Sequence, residues 1–184
     1  MVNDAAFLFQ LKAGNGEAFS QLLAAHRKTV INICYRFFLN QEDAEDISQE
    51  VFIEVYHSLK NFRGDSKLST WIHRIAVSKS LDEIKKRNSK KRIKSLGEII
   101  GLEDVANWVV GKERPDKTYE DKEGYQKLLD ALNKLPENQR IAITLSKVEG
   151  YSNPEIAELM QTTLTAVDSL IYRAKQQLKS KLNR

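Results

Sequence analysis

Apolar residues recur every three to four positions along most of the chain, the spacing of amphipathic α-helices. No segment of any length shows the strict alternation of apolar and polar residues that marks a strand. The sequence therefore predicts an all-α protein. It predicts eight helices, at about residues 4–13, 16–39, 41–59, 67–87, 121–134, 136–148, 155–160 and from Leu164 onward.

The breaks between these helices carry recognisable turn and capping residues. Gly14-Asn15-Gly16 lacks the lysine and the length of a phosphate-binding loop, so a helix-breaking turn is predicted there. Asn40 is placed to cap the third helix, and Gly64 turns the loop before the fourth. Ser152 and Glu155 have the spacing of a capping box, which predicts the start of a short helix.

Residues 93–120 lose the helical periodicity and contain three glycines and a proline. This segment is predicted to be a tether between two small domains, residues 1–92 and residues 121–184, with a short helical piece around 103–109. A chain of 184 residues is long enough for either one domain or two.

The predicted third helix combines an apolar face, formed by Ile47, Val51, Val55 and Leu59, with a strongly acidic remainder. One interpretation is a solvated helix whose acidic first turn complements the helix macrodipole. The other is a surface for a basic partner. The carboxylates are Glu42, Asp43, Glu45, Asp46, Glu50 and Glu54.

The C-terminal part has the pattern of a helix-turn-helix, in which a short helix and a tight turn precede a longer helix. The longer helix has its apolar residues at Leu164, Val167, Ile171, Ala174 and Leu178, and Thr163 is its expected N-cap. A plain helical bundle is the alternative. If the pattern binds DNA, the contacting residues are Thr163, Thr165, Asp168, Ser169, Tyr172, Arg173 and Lys175.

The net charge of +4 is unevenly distributed along the chain. Residues 1–60 carry 5 basic and 8 acidic groups, whereas residues 61–95 carry 11 basic and 3 acidic groups. This separation predicts one basic and one polyanionic partner. The basic tract that includes Lys85, Lys86 and Arg87 is either a phosphate-contacting segment or a solvated helix end.

Catalytic and metal-binding patterns are missing from the sequence. The three histidines are scattered, and there is neither a nucleophile elbow nor a phosphate loop, so no enzyme activity and no cofactor are predicted. The single cysteine, Cys34, is predicted to be a buried thiol in a reducing compartment. No apolar run reaches the roughly 20 residues of a membrane span, so direct membrane insertion is not expected.

Several short motifs, in this order, resemble the extracytoplasmic-function group of bacterial RNA polymerase sigma factors in the sigma-70 family. The likeness covers nearly the whole chain apart from the predicted tether. The motifs are KAGNGEAF (12–19), DAEDISQEVF (43–52), FRGDS (62–66), TWIHRIA (70–76), LPENQR (135–140), EGYS (149–152), EIAE (155–158) and YRAK (172–175).

The resemblance implies a cytoplasmic transcription initiation factor that binds core RNA polymerase, promoter DNA and an anti-sigma protein. The first domain would dock its acidic helix on the polymerase clamp and melt the −10 element, and the second would read the −35 element. Trp71 is expected in the core. The implied polymerase contacts are Asp43, Asp46, Gln49 and Glu50, and the implied −10 contacts are Phe62, Arg63, Asp65, Ser66, Arg74 and Ser78, followed by Lys85, Lys86 and Arg87.

The sequence departs from the common family pattern in the last domain. Basic residues are frequent in the family where this chain has Asp168 and Leu170, and glycine is usual at Gln161. An acidic Asp168 repels phosphate but can accept a hydrogen bond from cytosine N4. The sequence therefore predicts an altered or weakened −35 preference, and Asp168→Arg is expected to strengthen non-specific binding.

Two other functions compete with this interpretation. A dimeric helix-turn-helix regulator would bind specific DNA without polymerase, but it leaves the acidic helix unexplained. A helical adaptor would bind proteins only and would show no DNA affinity even at low salt.

Overall fold

The computed structural model describes residues 5–99 and 122–182, with side chains over residues 5–90 and 127–180. Throughout these two ranges the regular structure is helical and contains no strand, which confirms the predicted all-α class. The described residues form two separate compact units, one on each side of the gap.

The helices follow the predicted order, with shifts of a few residues at their ends except at the end of the fourth helix of the first unit. In the first unit they are α1 (Ala5–Lys12), α2 (Gly16–Phe38), α3 (Gln41–Ser58), a 3-10 turn (Leu59–Asn61) and α4 (Leu68–Ile99). In the second unit they are α5 (Lys122–Asn133), α6 (Glu137–Lys147), α7 (Asn153–Met160) and α8 (Leu164–Leu182).

Asparagine side chains cap the first two long helices. The Asn15 side-chain oxygen accepts hydrogen bonds from the backbone N–H groups of Glu17 and Ala18, at 2.9 and 3.0 Å. Asn40 accepts from the N–H of Asp43 at 3.0 Å. Both arrangements satisfy amides that have no partner inside their helix. The predicted turn at residues 14–16 and the predicted Asn40 cap are confirmed.

The core of the first unit lies where α2, α3 and α4 pack on one another. The predicted apolar face of α3 is buried there, together with apolar residues of both neighbouring helices. Cys34 is fully buried, and burial raises the pKa of its thiol to about 11 although Ser80 hydrogen-bonds to it. The predicted buried thiol is confirmed.

Helix α4 ends at Ile99, twelve residues after the predicted end at 87, and it crosses the predicted start of the tether at 93. The reason lies in residues 88–96, which contain neither glycine nor proline and several lysine and arginine residues of good helix propensity. The helical piece predicted around 103–109 lies outside the described residues.

The second unit buries Ile141, Leu145, Val167, Ile171 and Ala174 between α6, α8 and their neighbours. Two apolar residues are not part of this core: Val148 is 48% exposed, and Leu164, which was predicted on the apolar face of the last helix, is 47% exposed. Each stands at a helix end, Val148 at the C-cap of α6 and Leu164 at the first position of α8. The spacing of apolar residues along a helix does not show whether such a terminal residue meets a neighbouring helix.

Gln161 closes α7 in the left-handed conformation, with φ of 53° and ψ of 50°. This conformation costs a side chain with a Cβ about 1 kcal/mol or more, a cost that glycine avoids. We therefore expect Gln161→Gly to stabilise the helix-turn-helix by about 1 kcal/mol. Native-state hydrogen exchange of the α7 and α8 amides would measure the gain. Gln161→Ala keeps the Cβ and is the matched control. Equal protection of the amides in the two variants would show that the left-handed conformation does not cost Gln161 this energy.

Candidate protein and nucleic-acid interfaces

An open groove of about 580 Å³ runs between α3 and α4. Asp46, Gln49 and Glu50 line it from α3, and all three side chains are exposed. The structure thus brings together three of the four residues predicted to contact polymerase. Their spacing of three and four positions places them on one helical face.

The α4 side of this groove contributes a residue that the sequence analysis missed. Asp82 is exposed and lines the groove together with Lys79 and Lys86. Its carboxylate increases the negative charge that Asp46 and Glu50 give to the groove. No local sequence signal links residue 82 to the acidic helix, because only the packing of α4 beside α3 places them on one surface.

Asp43 and Arg87, predicted to contact two different partners, contact each other. The Arg87 Nη2 lies 2.7 Å from Asp43 Oδ1, its Nε donates to Glu83 at 2.9 Å, and its guanidinium stands 5.0 Å from the centre of the Phe38 ring. The Asp43 side chain is only 15% exposed. A contact of Asp43 to polymerase would therefore require this pair to open.

The pKa shifts in this cluster follow from the same contacts. The hydrogen bond to Asp43 is the largest influence on Arg87, and it raises the pKa of the guanidinium further despite partial burial. Burial acts to raise the pKa of Glu83, but hydrogen bonds from Arg87 and Lys86 outweigh it and hold that pKa below its usual value. Arg87 and Glu83 are therefore both charged near neutral pH.

A second ion pair joins α3 to α4 farther along the groove. Lys79 Nζ lies 2.9 Å from Glu54 Oε2. The hydrogen bond and charge of Lys79 lower the pKa of Glu54. Both side chains remain substantially exposed, so this pair orients the two helices more than it stabilises them.

An apolar groove of about 520 Å³ adjoins the first on the α2 side of α3, and Gln49 and Ile53 line both. Ile53 and Tyr56 are 51% and 49% exposed, and the Tyr56 ring meets Phe19 edge-on with centroids 5.1 Å apart. The sequence analysis missed this surface because both residues fall outside the regular apolar face of α3.

The loop after the 3-10 turn divides into an anchored and an exposed part. Phe62 is 5% exposed, and its ring centroid lies 5.0 Å from that of Trp71. Arg63 and Asp65 are exposed, and Ser66 is half-buried. Phe62 therefore has no open ring face for a base, because its side chain packs into the core. The half-buried Trp71 packs against it, as its predicted core position implies.

The outward side of α4 carries the remaining predicted contacts of the first unit. Arg74 and Ser78 are exposed and four residues apart, and Lys85 is half-buried on the same side of the helix. Lys86 is exposed and lies 3.3 Å from Glu83, which partly neutralises it. The exposed basic residues of α4 therefore lie within a regular helix and not at a frayed helix end.

The predicted helix-turn-helix is present in α7 and α8. The N–H of Ser152 donates to Glu155 Oε2 at 2.8 Å, as in a capping box, and Thr163 Oγ1 accepts from the N–H of Ala166 at 3.2 Å. Both predicted caps are confirmed. The predicted contact residues lie outside the core, Ser169 half-buried and the rest exposed: Thr163, Thr165, Asp168, Tyr172, Arg173 and Lys175.

One contact across the helix-turn-helix was not predicted. The Asn153 side-chain amide donates to Asp168 Oδ1 at 2.6 Å, which links the first residue of α7 to the exposed face of α8. The two residues are fifteen positions apart, so the contact depends on the crossing of the two helices. Asp168 is thus held by a neighbour and is not a freely rotating surface acid.

In the described part of the chain, no group of histidine, cysteine, aspartate or glutamate residues is arranged to hold a metal ion. A search of the same residues found no helix that is long and apolar enough to cross a bilayer.

Two protein-family models match the chain, and each match falls within one unit. The model of sigma-70 region 2 matches residues 22–90, and the model of sigma-70 region 4 matches residues 125–178. The first match contains the α3–α4 groove, and the second contains the helix-turn-helix.

Proteins of known function resemble the chain over almost its full length. The extracytoplasmic-function RNA polymerase sigma-E factor of Haemophilus influenzae is 30% identical, over 98% of this chain and 96% of that protein. The sigma factor SigW of Bacillus subtilis is 28% identical, over 94% of this chain and 93% of that protein.

Solved structures share the fold. The sigma factor RpoE of Bartonella quintana, solved with the anti-sigma factor NepR, aligns with a TM-score of 0.56 and 22% identity over 90% of this chain and 96% of that one. CnrH, solved with the cytosolic domain of CnrY, aligns with a TM-score of 0.52 and 24% identity over 98% of this chain and 97% of that one.

Proposed function

The chain belongs to the extracytoplasmic-function group of sigma-70 family RNA polymerase sigma factors, and from this premise we propose how its surfaces direct polymerase to promoters. As a member of the family it is a transcription initiation factor. The observation that carries the proposal is that the region 2 and region 4 matches fall on separate helical units, each with its own exposed polar surface.

The first unit, residues 1–92 with α4 continuing to Ile99, would bind core RNA polymerase through the α3–α4 groove. The exposure of Asp46, Gln49 and Glu50 on one face supports this role. Their carboxylates suit a basic partner surface, and their position at the rim of an open groove leaves room for a partner helix. Asp43 would act indirectly, by holding α3 against Arg87.

The loop and the outward side of α4 would meet the −10 element. Arg63 and Asp65 are exposed at the loop tip, and the buried Phe62 anchors the loop so that these side chains are held in place. An unstacked base needs a pocket with a few hydrogen-bonding groups, which this loop offers with Ser66. Arg74, Ser78 and Lys85 would follow the DNA backbone along α4, whereas Lys86 lines the α3–α4 groove.

The second unit, residues 121–184, would read the −35 element with α8 in the major groove. Exposure of the predicted contact residues on α8 supports this role. The tether, which was predicted to begin at 93, would instead begin after α4. We propose no cofactor and no catalytic step for either unit, and a place of action in the cytoplasm, where polymerase and promoters are.

We also propose an anti-sigma protein as a partner of this chain, on the basis of the solved relatives. RpoE of Bartonella quintana was solved with the anti-sigma factor NepR, and CnrH was solved with the cytosolic domain of CnrY. An anti-sigma protein of this kind would compete with polymerase, and the adjoining apolar groove with exposed Ile53 and Tyr56 offers it a binding surface.

Reconstituted transcription tests the proposal. Purified chain added to bacterial core RNA polymerase is expected to give transcripts from discrete promoters in a genomic template, whereas core enzyme alone gives none. Failure to bind the polymerase, combined with sequence-specific DNA binding by a dimer alone, would overturn the proposal in favour of a helix-turn-helix regulator.

A further inference from the structure

Asp168 occupies an unusual position for an acidic side chain in a DNA-reading helix. It is exposed on α8, four residues before the 64% exposed Tyr172, and it flanks the side of the helix that buries Val167 and Ile171. In a helix-turn-helix this part of the second helix meets base edges. A carboxylate there is repelled by phosphates, so its presence calls for a base contact that compensates.

The contact with Asn153 fixes how that carboxylate is presented. Asn153 Nδ2 donates to Asp168 Oδ1 at 2.6 Å, and Asp168 makes no other hydrogen bond to the described residues. One carboxylate oxygen is therefore occupied, and the other remains an acceptor. Because Asn153 begins α7, whose start is already held by the Ser152 and Glu155 capping contact, the anchor itself is well placed.

We infer that Asp168, oriented by Asn153, is a specificity determinant that selects a cytosine in the −35 element. The inference rests on the proposed function, because it requires α8 to lie in the major groove of promoter DNA. Asn153 is a positioning residue in this scheme, since it acts through Asp168 and need not touch the DNA.

Cytosine follows from the pattern of donors and acceptors in the major groove. An ionised carboxylate only accepts hydrogen bonds, and the one polar group that cytosine itself presents in the major groove is a donor, its N4 amino group. Adenine offers a donor at N6 but also an acceptor at N7, which faces the same carboxylate. Guanine N7 and O6 and thymine O4 are acceptors and would be repelled.

Promoter selection with the intact holoenzyme tests this inference. Core RNA polymerase carrying the full-length chain would transcribe a library of promoters randomised across the −35 element. The base frequencies at each randomised position would be compared among the promoters that are transcribed. The chains are wild type, Asp168→Ala, Asp168→Asn, Asn153→Ala and Asn153→Gln.

The wild-type chain is expected to prefer cytosine at one position by about tenfold, the discrimination of a good base contact. Asp168→Ala should abolish this preference, and Asp168→Asn should shift it toward adenine, which pairs with an amide at N6 and N7. Asn153→Ala should reduce it to about threefold while transcription from the strongest promoter persists, and Asn153→Gln should restore part of it.

Glu158→Gln is the matched control, because it removes one exposed negative charge from α7 without altering the reading face. It should raise non-specific affinity and leave every base preference unchanged. Wild-type transcription with base preferences identical to those of Asp168→Ala would overturn the inference. A wild-type chain that gives no promoter-dependent transcription would instead overturn the proposed function on which it rests.

Discussion

Reversing two charges in the α3–α4 groove, Asp46→Arg with Glu50→Arg, is expected to weaken binding to core RNA polymerase severely. Both carboxylates are exposed on one face of α3, where neither contributes to the core, so the change acts on the interface alone. Charge reversal opposite a basic surface replaces attraction by repulsion, and we expect the affinity to fall by at least about thirtyfold, or about 2 kcal/mol.

Titration of labelled chain with core enzyme at several salt concentrations would measure this loss. The attraction of the native groove should weaken as salt rises, whereas the residual binding of the variant should not. Glu17→Arg with Glu158→Arg is the matched control, because it makes the same change in net charge at exposed positions away from the groove. Equal loss in the control would mean that overall charge, and not the groove, governs binding.

Replacing Arg87 by alanine is expected to destabilise the first unit by about 2 kcal/mol. The change removes the ion pairs to Asp43 and Glu83 and the contact with the Phe38 ring, and it leaves the largely buried Asp43 carboxylate without its partner. Because Arg87 is itself about one-third exposed, the loss should stay below that of a fully buried pair. Denaturant unfolding of the full-length chain would measure it.

Lys86→Ala, the neighbouring position in the same basic tract, is the control. Its side chain is 63% exposed and forms an ion pair with Glu83 at 3.3 Å, so the unfolding free energy should change by less than about 0.5 kcal/mol. A double-mutant cycle with Asp43→Ala isolates the direct pair. Additive losses in that cycle would show that Arg87 acts through Glu83 and Phe38 alone.

The Arg87→Ala variant should also change how the stability of the first unit depends on pH. The pKa of Glu83 lies below its usual value in the native chain, so its contribution is present at neutral pH and is lost as the pH falls through that lowered pKa. Without Arg87 the pKa of Glu83 should return toward its usual value. Stability of Arg87→Ala should therefore decline less steeply in the acidic range than that of the wild type.

The helices, their order and most of their caps follow from the amino-acid sequence alone. These depend on local rules: apolar spacing near 3.6 residues, a side-chain oxygen one step before a helix, and glycine or proline between helices. The buried Cys34, the apolar face of α3 and the helix-turn-helix were predicted on this basis. The ordered motifs were likewise enough to indicate the sigma factor family.

Which polar residues are free to meet a partner depends instead on how the helices pack. Asp43 and Arg87 lie 44 positions apart, and Asn153 and Asp168 lie 15 apart, so no local pattern could reveal that each pair is joined. The burial of Phe62 depends in the same way on its packing against Trp71. Helical phase fixes which side of a helix a residue occupies. The crossing of two helices fixes what it meets there, and this is set by side chains distant in the sequence.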